Sequence, residues 1–305
     1  MKSLKLFIVL GGLYFFVSTL GVSVSGCNKT TTVHDTTTLV VHDTTVKTIK
    51  DTVTVVDSIW NITNGLVAYY NFNGGNLNDS SGHNNNIAFN NATLTSDRLG
   101  NANNAYLFDG STSYMRVANS ASINPNNITL FAIVKVNGFY TGSCHANTII
   151  NKGATDAVNG FYSLRFDDSS ISGATSCTLI PDTVNEFFYG EYGDDIPVGV
   201  NAGAGWDSLK IQKGEWYSLA FTYDGHTAKF YLDGALVSSI AKTVPFNANT
   251  SDLYFGKTES PIFPYYFKGV IDEIRIYNRV IDGSQIADLN ILRKNYVRFG
   301  NKIIF

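Results

Sequence analysis

Apolar and polar side chains alternate in short runs from Gly65 onward, each run bounded by Gly, Asn or Asp. The clearest run places Tyr217, Leu219, Phe221 and Tyr223 at every second position, which turns all four to one face of a strand. Asp224-Gly225 and Asp233-Gly234 supply the tight turns that follow, so 216–223, 228–232 and 235–240 read as a three-strand meander. Leu66-Val-Ala-Tyr-Tyr-Asn-Phe-Asn73 opens the series of strands. Only 284–289 carries a helical pattern, with Ser284 placed to cap it after Asp282. Many antiparallel strands with almost no helix predict an all-β fold, a two-sheet antiparallel β-sandwich with a short C-terminal helix.

The first 60 residues have a different texture. Lys2 and Lys5 precede an apolar run, 6–22, and Val24-Ser25-Gly26-Cys27 follows. Charge, then an apolar stretch, then small residues is the order of a secretion signal. The run is also near the lower length limit for a membrane span, and Cys27 decides between the two. An aliphatic residue at −3 with small residues at −2 and −1 resembles the lipobox of bacterial lipoproteins, which implies that Cys27 is lipidated and the chain cut just before it. Residues 1–26 are then a lipoprotein signal peptide, and Cys27 anchors the chain in the cell envelope, at the outer membrane or cell surface. Residues 27–60 repeat loosely, with Asp35-Thr36, Asp43-Thr44 and Asp51-Thr52 and no aromatic residue before Trp60. Such a segment cannot bury enough surface to fold by itself, and its β-branched residues are stiff, so it reads as an extended stalk.

What remains is one domain, 61–290, of roughly 230 residues, and a tail, 291–305. Aromatic residues make up 13% and charged residues 15% of the chain, beside 27 glycines, which suits short strands and tight turns on an exported protein better than a helical cytosolic enzyme. The net charge of −3 is spread without any block of like charge, so nothing marks a surface for nucleic acid or for anionic lipid. Beyond Cys27 only Cys144 and Cys177 remain. In an exported domain two such cysteines point to a disulfide, with two buried free thiols as the alternative.

Several motifs spread through the domain carry a family resemblance. They are Leu66-Val-Ala-Tyr-Tyr-Asn-Phe, Asn78-Asp79-Ser80-Ser81-Gly82-His83-Asn84, Ala105-Tyr-Leu-Phe-Asp-Gly110 with Tyr114, Trp216 to Gly225, Phe230-Tyr-Leu-Asp-Gly234, and Gly269-Val-Ile-Asp-Glu-Ile-Arg-Ile-Tyr-Asn-Arg279. In this order they are similar to laminin-G-like jelly rolls of the concanavalin A-like lectin and glucanase superfamily. The likeness is poorest between Phe139 and Lys210, where both domain cysteines lie.

The resemblance implies a structural Ca²⁺ held by an Asp near the last strand and by carbonyls of early strands. That role falls on Asp272, with carbonyls near Asn71 and Gly110 and with Asp79 and Asp109 as further carboxylates. Alternation predicts Asp272 on the apolar face of Val270, Ile274 and Ile276, where a carboxylate needs a partner. An ion pair with Arg275 or Arg279 is the alternative, although Arg275 falls on the opposite strand face. Asp79 and Asp109 read equally as turn residues bonding their own backbone.

The glucanases of this superfamily carry a Glu-x-Asp-x-x-Glu signature on one strand face, and this sequence lacks it. Glu186, Glu191, Asp194 and Asp195 come nearest, but they sit in a Gly-rich segment and read as loop charges. The expectation is therefore a binder and not an enzyme. Tyr140, Tyr189, Tyr192 and Trp206, with Phe188, lie among Gly, Asn and Asp in the divergent segment and form the candidate ligand site. Aromatic faces stack on sugar rings while Asn and Asp read hydroxyls, which points to glycan binding. Phe263, Tyr265 and Tyr266 form a second cluster. An adhesion or scaffold module that recognises a surface protein is the alternative, and a hydrolase or lyase of the same fold a further one.

Overall fold

The computed structural model describes residues 62–140, 147–153, 162–168, 186–193, 202–205, 211–244 and 249–294, together with strands at both ends of the chain. The chain divides into two units, 61–294 and the terminal residues 1–60 with 295–305. In the terminal unit, β1 (Phe7–Leu10), β2 (Leu13–Phe16), β3 (Thr32–Leu39) and β4 (Lys47–Thr54) pair antiparallel in chain order. Cys27, Cys144, Cys177, Trp206, Asp194 and Asp195 lie outside the described residues.

The larger unit is the expected two-sheet sandwich. Its strands are β5 (Leu66–Tyr70), β6 (Ile87–Asn90), β7 (Thr93–Thr95), β8 (Ala105–Asp109), β9 (Met115–Val117), β10 (Ile128–Val136), β11 (Asn147–Lys152), β12 (Tyr162–Asp168), β13 (Glu186–Tyr192), β14 (Ala202–Gly205), β15 (Trp216–Tyr223), β16 (Thr227–Leu232), β17 (Ala235–Ala241), β18 (Leu253–Phe255) and β19 (Lys268–Tyr277). The eight-stranded sheet runs β17-β16-β15-β10-β19-β8-β7, with β5 also on β19. The seven-stranded sheet runs β14-β13-β12-β11-β18-β9-β6. The helix α1 (Gly283–Lys294) follows β19, and a last hairpin, β20 (Val297–Phe299) with β21 (Lys302–Ile304), belongs to the terminal unit.

The core lies between the sheets and is filled by alternate residues of each. Leu219, Phe221 and Tyr223 of β15 enter it beside Leu130, Ala132 and Val134 of β10 and face Leu164, Phe166 and Phe188 of the other sheet. Each fully buried Leu, Val or Phe among them stabilises the fold by about 1.5–3 kcal/mol relative to exposure. The meander follows the sequence pattern closely, because the Asp-Gly turns place Gly225 and Gly234 at φ 91 and 83, where side chains are disfavoured. Helix α1 departs in one detail: its cap is Asp282, not Ser284. Asp282 Oδ1 accepts from Gln285 N at 2.9 Å, and Gln285 Oε1 accepts from Asp282 N at 3.1 Å, a reciprocal capping box.

A bulge in β19 changes the face expected for Asp272. Val134 is opposite Ile271 and Ile133 is opposite Glu273, so Asp272 is an extra residue. Ile271, Ile274 and Ile276 all join the core, while Asp272 is turned from the stripe that simple alternation assigned it. The bulge falls where β8 stops pairing with β19 and β5 begins, since Ile271 is opposite Tyr106 and Ile274 opposite Tyr70. Arg98 reaches this seam from the turn between β7 and β8.

Candidate functional site

The outer face of the seven-stranded sheet gathers the chemistry of this domain. Its residues alternate with core side chains: Arg116 between Met115 and Val117, Tyr254 between Leu253 and Phe255, Ser163 and Arg165 among Tyr162, Leu164 and Phe166. Phe89, Arg116, Tyr254, Asn151, Ser163 and Glu191 are successive register partners, so they form one row across six strands. A bulge at Ile149 lets both Ile149 and Ile150 enter the core and keeps Thr148 and Asn151 on the outer side.

At the β6 end the row is aromatic and open. The rings of Phe89 and Tyr114 stack with centroids 4.7 Å apart, and Tyr114 lies 6.1 Å from Tyr254. Lys257 Nζ sits 4.8 Å from the Tyr114 ring, 5.6 Å from Tyr254 and 5.7 Å from Tyr266. Tyr266 in turn approaches Tyr140 at 6.3 Å, so five aromatic rings line this end. Desolvation draws the Lys257 ammonium below its usual range, opposed by Glu259. Burial raises the hydroxyls of Tyr140, Tyr254 and Tyr266, which keeps them neutral hydrogen-bond donors at physiological pH. Arg116 and Asp252 flank the strip in an ion pair of 2.6 Å.

Toward β13 the same face is polar and buried. Arg165 Nη2 lies 3.4 Å from Glu191 Oε2, and the Arg165 guanidinium rests 4.9 Å from the Tyr189 ring. The crossover 256–267 borders this region: Glu259 N donates to Asn151 Oδ1 at 3.2 Å, and Thr148 N donates to the Tyr265 carbonyl at 2.9 Å. Tyr265 holds φ 45, a left-handed geometry that costs a bulky residue about 1–3 kcal/mol and so marks the crossover as a strained segment.

The structure sorts the residues expected from sequence. Tyr140 and Tyr189 lie on or beside the outer face. Tyr192 does not: it points into the core with Phe188, and its hydroxyl donates to the Pro125 carbonyl at 2.8 Å. Glu186 and Glu191 are strand residues of β13 rather than loop charges. Phe89, Tyr114, Tyr254 and Lys257 join this face without any local mark in the sequence. Tyr114 belongs to the family motif, and Tyr254 stands in a three-residue strand too short to display alternation.

The carboxylates expected at a Ca²⁺ site each have protein partners. Asp272 Oδ2 accepts from Arg98 Nη1 at 2.7 Å and from Arg98 N at 3.1 Å, so a guanidinium already meets this carboxylate. Burial pushes the Asp272 carboxyl up to about 6, with Arg98 drawing it back down. The partner of Asp272 is therefore neither Arg275 nor Arg279; Arg275 instead binds Glu273 at 2.5 Å on the other side of the bulge. Asp79 accepts from the N–H groups of Tyr69, Ser81 and Asn85. Asp109 accepts from those of Ser111, Thr112 and Ser113. Burial by itself would raise Asp109, but these bonds and Thr112 Oγ1 hold it well below the usual carboxylate range. Asp109 bonds the backbone of its own turn, whereas Asp79 also ties that segment to Tyr69 of β5. Asn71 Oδ1 accepts from Asn73 N, and Gly110 makes its turn at φ 79. Among the described residues no group of three or more His, Cys, Asp or Glu side chains converges as metal ligands.

Two antiparallel sheets, a filled core and an aromatic and polar outer face define a jelly roll of the concanavalin A-like class. Residues 109–287 match Laminin_G_3, of the concanavalin A-like lectin/glucanases superfamily, and the chain belongs to that family. No curated protein matches the sequence. Among solved structures it is similar to the binding domain of Paraclostridial Mosquitocidal Protein 1 (TM-score 0.56, 13% identity, 75% of this chain and 52% of that one). It is also similar to the binding domain of Botulinum Neurotoxin DC in complex with SialylT (TM-score 0.54, 12% identity, 76% and 52%). Domain 4 of AbnA, an extracellular arabinanase from Geobacillus stearothermophilus, aligns at TM-score 0.48 and 23% identity over 74% of this chain and 98% of that one. The chain spans about half the length of the toxin binding domains, and the likeness is one of fold.

Proposed function

We propose that the chain is a non-catalytic binding lipoprotein of the cell envelope that recognises carbohydrate on the outer face of its seven-stranded sheet. The observation that carries this reading is the strip of Phe89, Tyr114, Tyr254, Tyr266 and Tyr140, which runs into a polar row on the same face. Rings of this kind stack on the apolar faces of sugars, and a few placed polar groups then fix orientation. The toxin binding domain of the same fold that is in complex with SialylT agrees with such a use. A non-catalytic role is supported by the engagement of Glu191 with Arg165, because retaining hydrolysis needs two carboxyls about 5 Å apart with one held as an acid. Anchoring through Cys27 would raise the effective concentration of a weak site at the surface.

A glycan array probed with the full chain tests the reading. Retention on particular glycans is expected, reduced about a hundredfold by Tyr254→Ala or Tyr114→Ala, which each remove one stacking face of roughly 1–3 kcal/mol together with its neighbour's support. Retention on no glycan would sink the proposal in favour of protein recognition.

A further inference from the structure

Two columns of side chains make a compact block at the buried end of the outer face. Thr148 is opposite Arg165 and Arg165 opposite Tyr189; Asn151 is opposite Ser163 and Ser163 opposite Glu191. Residues opposite one another in an antiparallel pair have Cβ atoms about 5 Å apart, so the six side chains share one small area. Thr148, Asn151 and Ser163 are each 0% exposed. Among the described residues, Thr148 Oγ1, Asn151 Nδ2 and Ser163 Oγ have no hydrogen-bond partner. Natural proteins seldom leave such atoms unsatisfied, and three on neighbouring positions of one face concentrate the cost in one place.

We infer that this block is a specificity subsite for a neutral, hydroxyl-rich sugar unit at one end of the ligand whose other units lie on the aromatic strip. The inference rests on the carbohydrate reading above and names the ligand class within it. The chemistry of the three atoms sets that class: an amide N–H₂ that only donates, and two hydroxyls that donate or accept, match the vicinal hydroxyls of a sugar ring. Charge sets it further, since the cation and anion of the block, Arg165 and Glu191, face each other at 3.4 Å. An acidic sugar would have to compete with Glu191 for the guanidinium. The crossover 256–267 packs against the block, with Glu259 N donating to Asn151 Oδ1 at 3.2 Å, so a ligand reaches the three buried atoms by displacing part of it. The exposed tip of that crossover is Pro261 and Ile262.

Groups kept unsatisfied for a ligand weaken the free protein, so their removal has two effects of opposite sign. Thr148→Val and Ser163→Ala in the full chain are each expected to raise the melting temperature of the free protein by about 2–4 °C. The same variants are expected to weaken binding to neutral oligosaccharides about tenfold in isothermal titration calorimetry. The probes are cello-, xylo-, manno- and arabino-oligosaccharides, with oligogalacturonate as the acidic counterpart. Tyr254→Ala should weaken binding without the gain in melting temperature. Preference for oligogalacturonate, a lower melting temperature in Thr148→Val, or unchanged affinity in both variants would overturn the inference while leaving carbohydrate recognition standing. If the wild-type chain binds none of the probes and no glycan on the array, both fall together.

Discussion

Arg98→Ala is expected to lower folding stability by about 3–5 kcal/mol near pH 7.5, because removing one member of a buried ion pair leaves the other charge uncompensated. Arg98 and Asp272 side chains are only 9% and 5% exposed, with 2.7 Å between Nη1 and Oδ2, and Arg98 Nη2 also lies 3.6 Å from Glu273. The pH dependence follows from the raised Asp272 carboxyl. Its folded value of about 6 exceeds the ordinary 3.8, so the folded state binds this proton more tightly than the unfolded chain, and its contribution to stability falls as pH rises between those values. Without Arg98 the carboxyl moves higher still and the fall continues past pH 6. The cost of the substitution should accordingly be small at pH 4.5 and full at pH 7.5 in urea denaturation. Equal costs at both pH values would refute the ion pair. Melting that depends on EDTA in the wild type, and no longer in Asp272→Ala, would return Asp272 to a cation.

Gly190→Ala should be comparably damaging for a steric reason. Gly190 faces inward from β13, and a Cβ there would lie 2.2 Å from Phe221 Cγ and 2.4 Å from Phe221 Cβ. Phe221 is 0% exposed and held by core neighbours on every side, so neither its ring nor its strand can yield freely. A cost of about 3 kcal/mol or more follows, at the upper end of overpacking effects. Phe221→Leu in the same chain should recover part of the loss, and strict additivity of the two changes in thermal unfolding would disprove the contact.

These two positions show why the sequence was readable in some places and opaque in others. The meander 216–241 was legible because period-two alternation and Asp-Gly turns agree. In β13 the same alternation is present but hidden: the inward position between Phe188 and Tyr192 is a glycine, required by Phe221 from the other sheet, and the outward ones include a charge. Read without the partner sheet, 186–192 resembles a loop, and Tyr192 resembles a ligand contact although its hydroxyl is satisfied by Pro125 across the core. In β19 the failure is one of phase. Alternation counted through Asp272 carries it to the wrong face, because a bulge is set by register with β10 and leaves no local mark. The aromatic strip is dispersed among β6, the residue before β9, the segment after β10, β18 and the crossover, so its members become neighbours only once the strand order is known.

The position of β19 has a consequence for how the domain comes into being. This strand bonds to β10 along one edge and to β5 and β8 along the other, yet it is the last strand of the sandwich to be synthesised. Tyr70 waits for Ile274, about 200 positions away, and until then the eight-stranded sheet exists only as halves with open edges. Contacts of such long range make assembly slow. A central strand delivered last is a timing device: no shorter nascent chain can close the sheet.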